Sequence, residues 1–375
     1  MTDNSCNRVK VSSSALRNNF RFLQRSVNSG VAVMAMVKAD GYGHGMVNAA
    51  RVFSDAGCMA FGVAELREAV ILRKAGIGGS IYVTMAFGIE DVGLFFKYDL
   101  IPVIYDYNAA LALSRKAVES ASEITVHIKV DTGMGRLGVF ADELPRFIDG
   151  ISALAGVKIG GFMSHFPEAD TPEKDSTDKG YDLFSTGCIN NGRCIDTICH
   201  IANSSAVLNF PKTHCDMVRV GIALYGYHPA GKVDQTGFQA NNLLPALSFT
   251  SRILQVKLFP AGAGISYGYT YRTSEPRKIA VLPVGYEDGF SRRLSNRATV
   301  LIGGRRVPVV GRICMNMCMV DVTSVVGVKS GDEVVFIGRQ GSESINADDI
   351  AKSMGTISYE VLCLFGNNNN RIYVE

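Results

Sequence analysis

The sequence predicts an N-terminal (β/α)8 barrel of the TIM type followed by a C-terminal all-β domain. Eight short apolar runs of strand length occur within the first 238 residues, and helical segments lie between them. From about Gln239, closely spaced β-rich runs are instead separated by Gly-containing turns. The length of 375 residues leaves room for a barrel of about 250 residues and a smaller second domain. We therefore expect domains at residues 1–238 and 239–375.

The barrel strands follow an opening strand near Arg8–Val11 and an amphipathic helix over Ala15–Ser26. Further helices are predicted at Glu65–Ala75 and Asn108–Ser120. The eight barrel strands are predicted at Val31–Val37, Met59–Val63, Ser80–Met85, Ile101–Ile104, Ile124–Val130, Val157–Met163, Thr197–His200 and Met217–Val220.

The C-terminal region is predicted to contain strands throughout. Its β-rich runs are Leu247–Leu258, Lys278–Pro283, Ala298–Ile302, Arg306–Arg312, Met319–Val322 and Glu333–Ile337. The polar tract Asn367–Asn370 is predicted to be a loop tip, and Arg371–Val374 is predicted to be the last strand.

Composition favours a small-molecule substrate. Basic and acidic residues nearly balance, with a formal net charge of +3, and the basic residues are scattered along the sequence. This pattern gives no indication of a nucleic-acid partner. No apolar run approaches the roughly 18 residues that a membrane helix requires. The nine cysteines contain no C-x-x-C pair, and the densest group does not fit a zinc site. That group is Cys188, Cys194, Cys199 and Cys215. We therefore expect a cytoplasmic protein without disulfides or a bound metal.

The stretch VAVMAMVKADGYGHG, residues 31–45, carries the strongest signal of chemistry. Its apolar run leads directly into Lys38, which places this amine at the carboxyl end of a buried strand. Apolar neighbours would weaken the preference of the amine for its ammonium form, so Lys38 could act as nucleophile or base. The glycines around Tyr42 allow a close backbone turn that would suit a lysine imine beside a phosphate. The alternative is an ordinary solvated lysine at a strand end.

Other predicted strand ends also carry polar groups. Lys129 ends a strand, and Arg136 lies in the Gly-rich turn after it, although a solvated salt bridge would explain both. His165 ends the next strand, and Ser204 can start a helix that presents its hydroxyl to an anion. Arg219 ends the last strand, ahead of a turn at Gly221 and Ile222 whose N–H groups could bind a phosphate. Together these strand ends predict a cofactor site.

The motifs closely resemble those of the alanine racemases, pyridoxal-phosphate (PLP) enzymes built from a barrel and a C-terminal β-domain. In the barrel the matching motifs are VKADGYGHG, KVDTGMGRLG, SHF, ANSS and VRVGIALYG. In the β-region they are ISYGYTY, LPVGYEDG, VGRICMNM and TISYE. The resemblance therefore covers nearly the whole chain. It implies interconversion of L- and D-alanine, a supply of D-alanine for peptidoglycan synthesis, and a homodimer with shared active sites.

The resemblance also implies how the cofactor is bound. Lys38 would hold PLP as an imine, and Arg219 would face the pyridine nitrogen with His165 behind it. The implied phosphate ligands are Tyr42, Ser204, Gly221, Ile222 and Tyr359.

For the substrate, the resemblance implies that Arg136 and the backbone at Met315 bind the carboxylate. Tyr267 of the partner subunit would be the second base, and Lys129 would be carbamylated and orient Arg136. The implied corridor to the site is lined by Tyr286, Arg292 and Arg312 together with Tyr359.

These roles are chemically coherent. Racemisation removes the Cα proton from one face and returns it on the other, so two bases must flank a planar carbanion. Arg219 is permanently protonated and can only donate a hydrogen bond, which would leave the pyridine nitrogen largely unprotonated. The resulting weaker electron sink favours rapid reprotonation at Cα over transamination or decarboxylation.

Two departures from the family pattern bear on substrate preference. Asn316 stands where many members have aspartate, and the tail LFGNNNNRIY replaces a segment that usually contains proline and arginine.

Three alternative functions remain: a racemase of broader specificity that accepts serine, a PLP-dependent decarboxylase, and a PLP-binding regulatory protein. Decarboxylases of similar architecture place a carboxylate where Arg219 stands, and the regulatory proteins consist of the barrel alone. The family's tyrosines and Met315 crowd the substrate methyl group, which favours alanine.

Overall fold

The computed structural model describes residues 5–171, 173–189, 197–231 and 242–375. The chain forms two compact units. The barrel unit comprises Leu16–Gly41 and Met46–Leu244, and the strand-rich unit comprises Met1–Ala15, Tyr42–Gly45 and Pro245–Glu375. The boundary predicted between residues 238 and 239 lies outside the described residues, as does Cys194.

Among the described residues of the barrel unit, eight parallel strands pair in one continuous order, as predicted. In sheet order they are Met217–Val220, Ala32–Met36, Ala60–Val63, Ser80–Val83, Ile101–Ile104, Ile124–Asp131, Val157–Met163 and Ile198–His200. The two ends of this order approach each other, because the N–H of Arg219 donates to the carbonyl of Ala202 at 2.9 Å. The barrel is therefore nearly closed, and the carboxyl ends of its strands share one mouth. A short strand at Val139–Phe140 pairs with Ile124–Asp131.

Helices alternate with these strands along the chain. Their bounds are Ser13–Ser26, Met46–Asp55, Leu66–Lys74, Gly93–Lys97, Tyr107–Glu119, Leu144–Ser152, Ser176–Phe184 and Ser204–Asn209. Shorter helical turns lie at Ile89–Asp91, Ser185–Ile189, Pro211–Thr213 and Ile222–Tyr225. Because helices cover the outside of the barrel and side chains fill the inside, strand residues such as Ala35, Phe61 and Ile128 are fully buried. This double burial explains why the strands are continuous apolar runs in the sequence.

The strand-rich unit is built around one larger sheet. Its order is Arg305–Pro308, Thr299–Ile302, Glu333–Gln340, Leu247–Arg252, Arg8–Ser12 and Arg371–Val374, with Glu343–Ile345 paired to Glu333–Gln340. A second sheet joins Gln255–Phe259, Arg277–Leu282 and Cys318–Asp321, and a small ribbon joins Gly264–Ile265 to Tyr271–Arg272. The opening strand thus belongs to this unit, where it pairs with Leu247–Arg252 and Arg371–Val374.

The predicted C-terminal elements differ from the structure in four places. The unit is mostly strands but also has helices at Ala347–Met354 and Ser358–Asn367. The run Leu247–Leu258 is two strands, and the run Arg306–Arg312 is a strand only to Pro308. Gly311 turns the chain after it, with a φ of +76°.

The fourth difference concerns the asparagine tract Asn367–Asn370, predicted to be a loop tip: its first residue belongs to the preceding helix, and the other three form the loop. Asn367 ends a helix, and the side chain of Asn369 donates to the carbonyls of Phe365 at 2.8 Å and Asp288 at 2.9 Å. The tract therefore anchors the last strand. Across the described ranges, no helix is both long and apolar enough to cross a membrane.

Candidate active site

Lys38 lies at the mouth of the barrel, two residues beyond the end of the Ala32–Met36 strand, and it is half-buried. The next residues form a left-handed turn, with φ of +52° at Ala39, +50° at Asp40 and +53° at Tyr42. Each non-glycine residue in this conformation costs roughly 1–2 kcal/mol, so the turn persists only because other contacts hold it. Gly41, at φ +65°, helps to close it by donating to the Val37 carbonyl at 2.8 Å.

Glu68 is a supporting residue that the sequence did not single out. One of its carboxylate oxygens accepts from the N–H of Ala39 at 2.8 Å, and the other accepts from Ala64 at 2.8 Å and Glu65 at 3.0 Å. The same carboxylate therefore caps the Leu66–Lys74 helix and fixes the turn after Lys38. The sequence does indicate the cap, because Glu68 lies three residues after the start of the predicted helix Glu65–Ala75.

Arg219 is the most constrained cation at the mouth, with 3% of its surface exposed. Its Nη1 donates to the His200 carbonyl at 2.8 Å and to His200 Nδ1 at 3.2 Å. Its Nη2 donates to the Ser164 carbonyl at 2.6 Å, to His165 Nδ1 at 3.1 Å and to the Ile201 carbonyl at 3.2 Å. Burial lowers the pKa of Arg219 to about 9, so it remains a cation at neutral pH.

One donor of this guanidinium remains for a ligand. Among the described residues, no acceptor contacts Nε of Arg219 and no carboxylate pairs with the group. The protein thus fixes both terminal nitrogens with neutral acceptors and leaves Nε–H as a charged donor.

Lys129 lies within the same field of positive charge and is 4% exposed. Burial, followed by the charges of Arg219, Arg136 and Lys38, lowers its pKa to about 7. The pKa of His165 is well below its usual value for the same reasons, with burial the largest. These shifts indicate a site that favours an anion.

The turn after Lys129 is organised by Asp131. Its carboxylate accepts from the N–H groups of Gly133 at 2.9 Å, Gly135 at 3.1 Å and Arg136 at 3.1 Å. Burial alone would raise the pKa of Asp131, but these backbone donors lower it overall. The turn leaves the Arg136 side chain exposed at the mouth, where it can bind an anionic ligand.

Ser204 and Gly221, which the resemblance implies as phosphate ligands, lie next to each other in the structure. Asn203 caps the Ser204–Asn209 helix by accepting from the N–H groups of Ser205 and Ala206, both at 3.1 Å. The buried Ser204 Oγ accepts from the Gly221 N–H at 2.8 Å, which leaves its own hydroxyl proton to donate. Ile222 follows at the start of the Ile222–Tyr225 turn.

The other phosphate ligands implied by the resemblance lie in the strand-rich unit. The rings of Tyr42 and Tyr359 contact each other, with centroids 6.0 Å apart. Gly43 makes this contact possible, because a Cβ there would lie 2.3 Å from the Leu362 carbonyl oxygen. The short segment Tyr42–Gly45 therefore packs directly on the Ser358–Asn367 helix.

Tyr267 is exposed on a turn of the strand-rich unit, with 66% of its surface accessible. Ser266 precedes it with a φ of +62° and donates its hydroxyl to the Arg312 carbonyl at 2.6 Å. A cavity of about 550 Å³ extends behind this turn, and its lining includes Phe259, Cys314 and the tyrosine itself. The turn thus presents the phenol outward from its own unit.

Met315 lies on a neighbouring loop of that unit. The N–H of Tyr286 donates to the Cys314 carbonyl at 3.1 Å, and the N–H of Glu287 donates to the Met315 carbonyl at 3.0 Å. Gly285 is needed for this approach, because a Cβ there would lie 2.1 Å from the Met315 carbonyl oxygen.

The remaining corridor residues, Arg292 and Arg312, are also exposed in this unit. The amide of Asn316 donates to the carboxylate of Glu287. An aspartate at this position would face that carboxylate with a like charge, so the asparagine suits its neighbour.

Two family models match the chain. A model described as "Alanine racemase, N-terminal domain" covers residues 11–229, and one described as "Alanine racemase, C-terminal domain" covers residues 246–373. The alanine racemase of Halothermothrix orenii is 43% identical over 359 residues, which are 95% of this chain and 93% of the relative. That of Syntrophobacter fumaroxidans is 38% identical over 361 residues, which are 96% and 95% of the two chains.

Solved structures give the same result. The alanine racemase of E. faecalis has a TM-score of 0.93 and 32% identity, with 100% of both chains covered. That of Bacillus anthracis with bound L-Ala-P has a TM-score of 0.92 and 33% identity, with 100% of this chain and 96% of that one covered. That of Bartonella henselae with covalently bound pyridoxal phosphate has a TM-score of 0.88 and 27% identity, with 98% and 99% covered.

Proposed function

The chain belongs to the alanine racemase family, and from that premise we propose how its residues interconvert L- and D-alanine. The enzyme is a PLP-dependent amino-acid racemase that acts on alanine. The observation that carries the proposed mechanism is the buried Arg219, which has neutral acceptors on both terminal nitrogens and one charged N–H left for a ligand. A carboxylate at this position would instead suit the decarboxylase alternative.

The residues at the mouth of the barrel fit PLP. Arg219 Nε–H is suited to the pyridine nitrogen, and the Ser204 hydroxyl with the N–H groups near Gly221 is suited to the phosphate. The resemblance adds Ile222, Tyr42 and Tyr359 as phosphate ligands. Bound PLP supplies an electron sink that acidifies the Cα–H bond of the amino acid.

Two residues of the chain move the proton. Lys38 takes it from or returns it to Cα on one face, and Tyr267 does the same on the opposite face. The turn that Glu68 fixes holds the Lys38 amine in place, so little reorganisation is needed during the transfer. Arg136 and the N–H of Met315 bind the substrate carboxylate, which keeps Cα between the two bases.

We also propose that the active site is shared in a homodimer, with Tyr267 of one chain serving Lys38 of the other. The exposure of Tyr267 in its own unit supports this arrangement. The D-alanine produced would supply peptidoglycan synthesis. The described cysteines form no disulfide with one another, which supports a reducing cytoplasm as the working environment.

An assay of D-product formation from a panel of L-amino acids, with and without added PLP, tests the reaction. We expect D-alanine to form fastest and D-serine more slowly, with activity dependent on PLP. Release of carbon dioxide and an amine would support the decarboxylase alternative instead. No turnover of any amino acid in the presence of PLP would support a regulatory protein.

Lys129 is proposed to carry a carbamate. Its pKa of about 7 leaves a large fraction of neutral amine at physiological pH. The charges of Arg219, Arg136 and Lys38 disfavour the ammonium form, and the smaller effect of Asp131 opposes them. The Nζ lone pair attacks the carbon of carbon dioxide and forms an N–C bond, while one C–O π pair moves onto its oxygen. One N–H proton then leaves to solvent. A cation that burial disfavours is thereby replaced by an anion that orients Arg136.

Carbon-13 NMR with labelled bicarbonate tests this modification. Because the attacking amine must be unprotonated, we expect a carbamate resonance at pH 8 that fades as the pH falls below about 7. The resonance should be absent from Lys129→Ala and retained in Lys158→Ala, since Lys158 is an exposed strand lysine. Acetate should partly restore the activity of Lys129→Ala. A resonance that persists in Lys129→Ala would refute the assignment.

A further inference from the structure

Two buried histidines lie behind Arg219, and neither was singled out in the sequence. His200 ends the Ile198–His200 strand and is fully buried, and His127 lies in the Ile124–Asp131 strand and is 1% exposed. His127 Nδ1 lies 2.8 Å from His200 Nε2, and His200 Nδ1 lies 3.2 Å from Arg219 Nη1. The three side chains therefore form a continuous chain of hydrogen bonds that leads from the cofactor site into the barrel interior.

The guanidinium sets the direction of every bond in this chain. Arg219 can only donate, so His200 Nδ1 must be an unprotonated acceptor. A neutral His200 then carries its proton on Nε2 and donates it to His127. His127 Nδ1 must in turn be an acceptor, which places the proton of His127 on Nε2. Only one arrangement of protons satisfies all three groups.

The barrel has features that keep these rings neutral and in place. Burial lowers the pKa of His127 to about 3, and that of His200 is well below its usual value, with burial the largest cause. The ring of Tyr82 packs edge-on against both, with centroids 5.0 Å from His127 and 6.0 Å from His200. Gly161 leaves the space, because a Cβ there would lie 2.3 Å from His127 Cε1.

We propose that His200 and His127 are positioning residues that fix Arg219 through a one-way chain of hydrogen bonds and so aim its Nε–H at the cofactor. This proposal rests on the proposed function only in its last step, the contact of Arg219 with PLP. His165 accepts a hydrogen bond from Nη2 of Arg219, in the same way that His200 accepts one from Nη1. With both terminal nitrogens held, the plane of the guanidinium cannot rotate without breaking several hydrogen bonds.

Replacement of His127, the histidine farther from Arg219, separates its positioning of Arg219 from its contribution to the packing of the barrel. His127→Asn keeps an acceptor oxygen near the position of Nδ1, whereas His127→Leu removes the acceptor and leaves the His200 Nε2–H without a partner. His214→Leu is the matched control, because His214 is 1% exposed and bonds only to the Val207 carbonyl among its described contacts. Thermal unfolding of all three variants reports their structural cost.

Nitrogen-15 NMR of the apoprotein gives the direct readout. In the wild type, we expect His200 and His127 each to carry a proton on Nε2 alone. In His127→Asn, we expect the same tautomer for His200. In His127→Leu, His200 should populate a second tautomer, and the affinity of the apoprotein for PLP should fall about fivefold. His127→Asn and His214→Leu should keep the PLP affinity within about twofold.

Three outcomes would overturn the proposal. One is a wild-type His200 that carries its proton on Nδ1 or on both nitrogens, which the geometry of Arg219 forbids. Another is a His127→Leu variant with unchanged His200 tautomer and PLP affinity. The third is an equal loss of PLP affinity in His127→Leu, His127→Asn and His214→Leu, which would show a packing effect. Alanine racemisation by the wild type decides the proposed function independently of all three.

Discussion

Replacement of Lys38 by alanine is expected to lower kcat for alanine racemisation at least about a thousandfold in both directions. The variant loses the amine that the apolar strand and the left-handed turn place at the mouth of the barrel. It also loses the covalent attachment point proposed for PLP. Because Glu68 and backbone hydrogen bonds hold the turn, the fold should be retained.

Borohydride reduction of the wild type, followed by peptide mapping, checks the assignment independently of activity. The cofactor should be fixed to the peptide that contains Lys38 and to no peptide of the Lys38→Ala variant. Lys158→Ala, which removes an exposed lysine from a barrel strand, should keep both the label and full activity. Recovery of the label on another lysine would overturn the role of Lys38.

Replacement of Arg219 by glutamate is expected to slow racemisation about a hundredfold or more and to increase side reactions. A carboxylate accepts a hydrogen bond where the guanidinium donates one, so the pyridine nitrogen would become protonated and the electron sink stronger. A longer-lived carbanion allows transamination, which appears as pyruvate. The variant also loses the hydrogen bonds to His165 and His200.

Arg219→Lys separates the charge of this residue from its geometry. It keeps a cation but cannot reach both histidines and the carbonyls at once, so we expect slower racemisation without a rise in pyruvate. Pyruvate formed per D-alanine is the quantity to measure in the two variants. Equal ratios in Arg219→Glu and the wild type would show that Arg219 does not set the protonation of the ring nitrogen.

The barrel could be predicted from the sequence because each of its strands is recognised from residues that are adjacent in the chain. A strand buried on both faces reads as a continuous apolar run, and the polar residue that follows it falls at the mouth. This pattern predicts the places of Lys38, Lys129 and Arg219. In the structure Lys38 lies two residues beyond its strand, and Lys129 and Arg219 lie within the last three residues of theirs. The glycines around Tyr42 likewise indicated a close turn, although not its left-handed course.

The supporting residues could not be predicted because their contacts are not local. Glu68 holds a residue 29 positions earlier in the chain, and His127 contacts a histidine 73 positions later. A single histidine within an apolar strand gives no sign of such a partner. The helix Ala347–Met354 is different, because its capping box of Asn346 and Asp349 is a local pattern that the sequence itself contains.

The pairing of strands in the strand-rich unit could not be predicted from the sequence either. Arg8–Ser12 lies between Leu247–Arg252 and Arg371–Val374, so the two ends of the described chain meet in one sheet. Apolar alternation predicts that each of these segments is a strand. It does not identify the partner of each strand, because any exposed edge offers the same backbone groups.

The two-base mechanism across a dimer is tested most directly by mixing two inactive variants, Lys38→Ala and Tyr267→Phe. If each site takes Lys38 from one chain and Tyr267 from the other, a mixed dimer contains one site with both lesions and one intact site. Random exchange of subunits should then restore roughly a quarter of the wild-type activity, while each variant alone stays inactive. No recovery after exchange has been demonstrated would contradict the mechanism, because Tyr267 would then serve its own chain or not act as the second base.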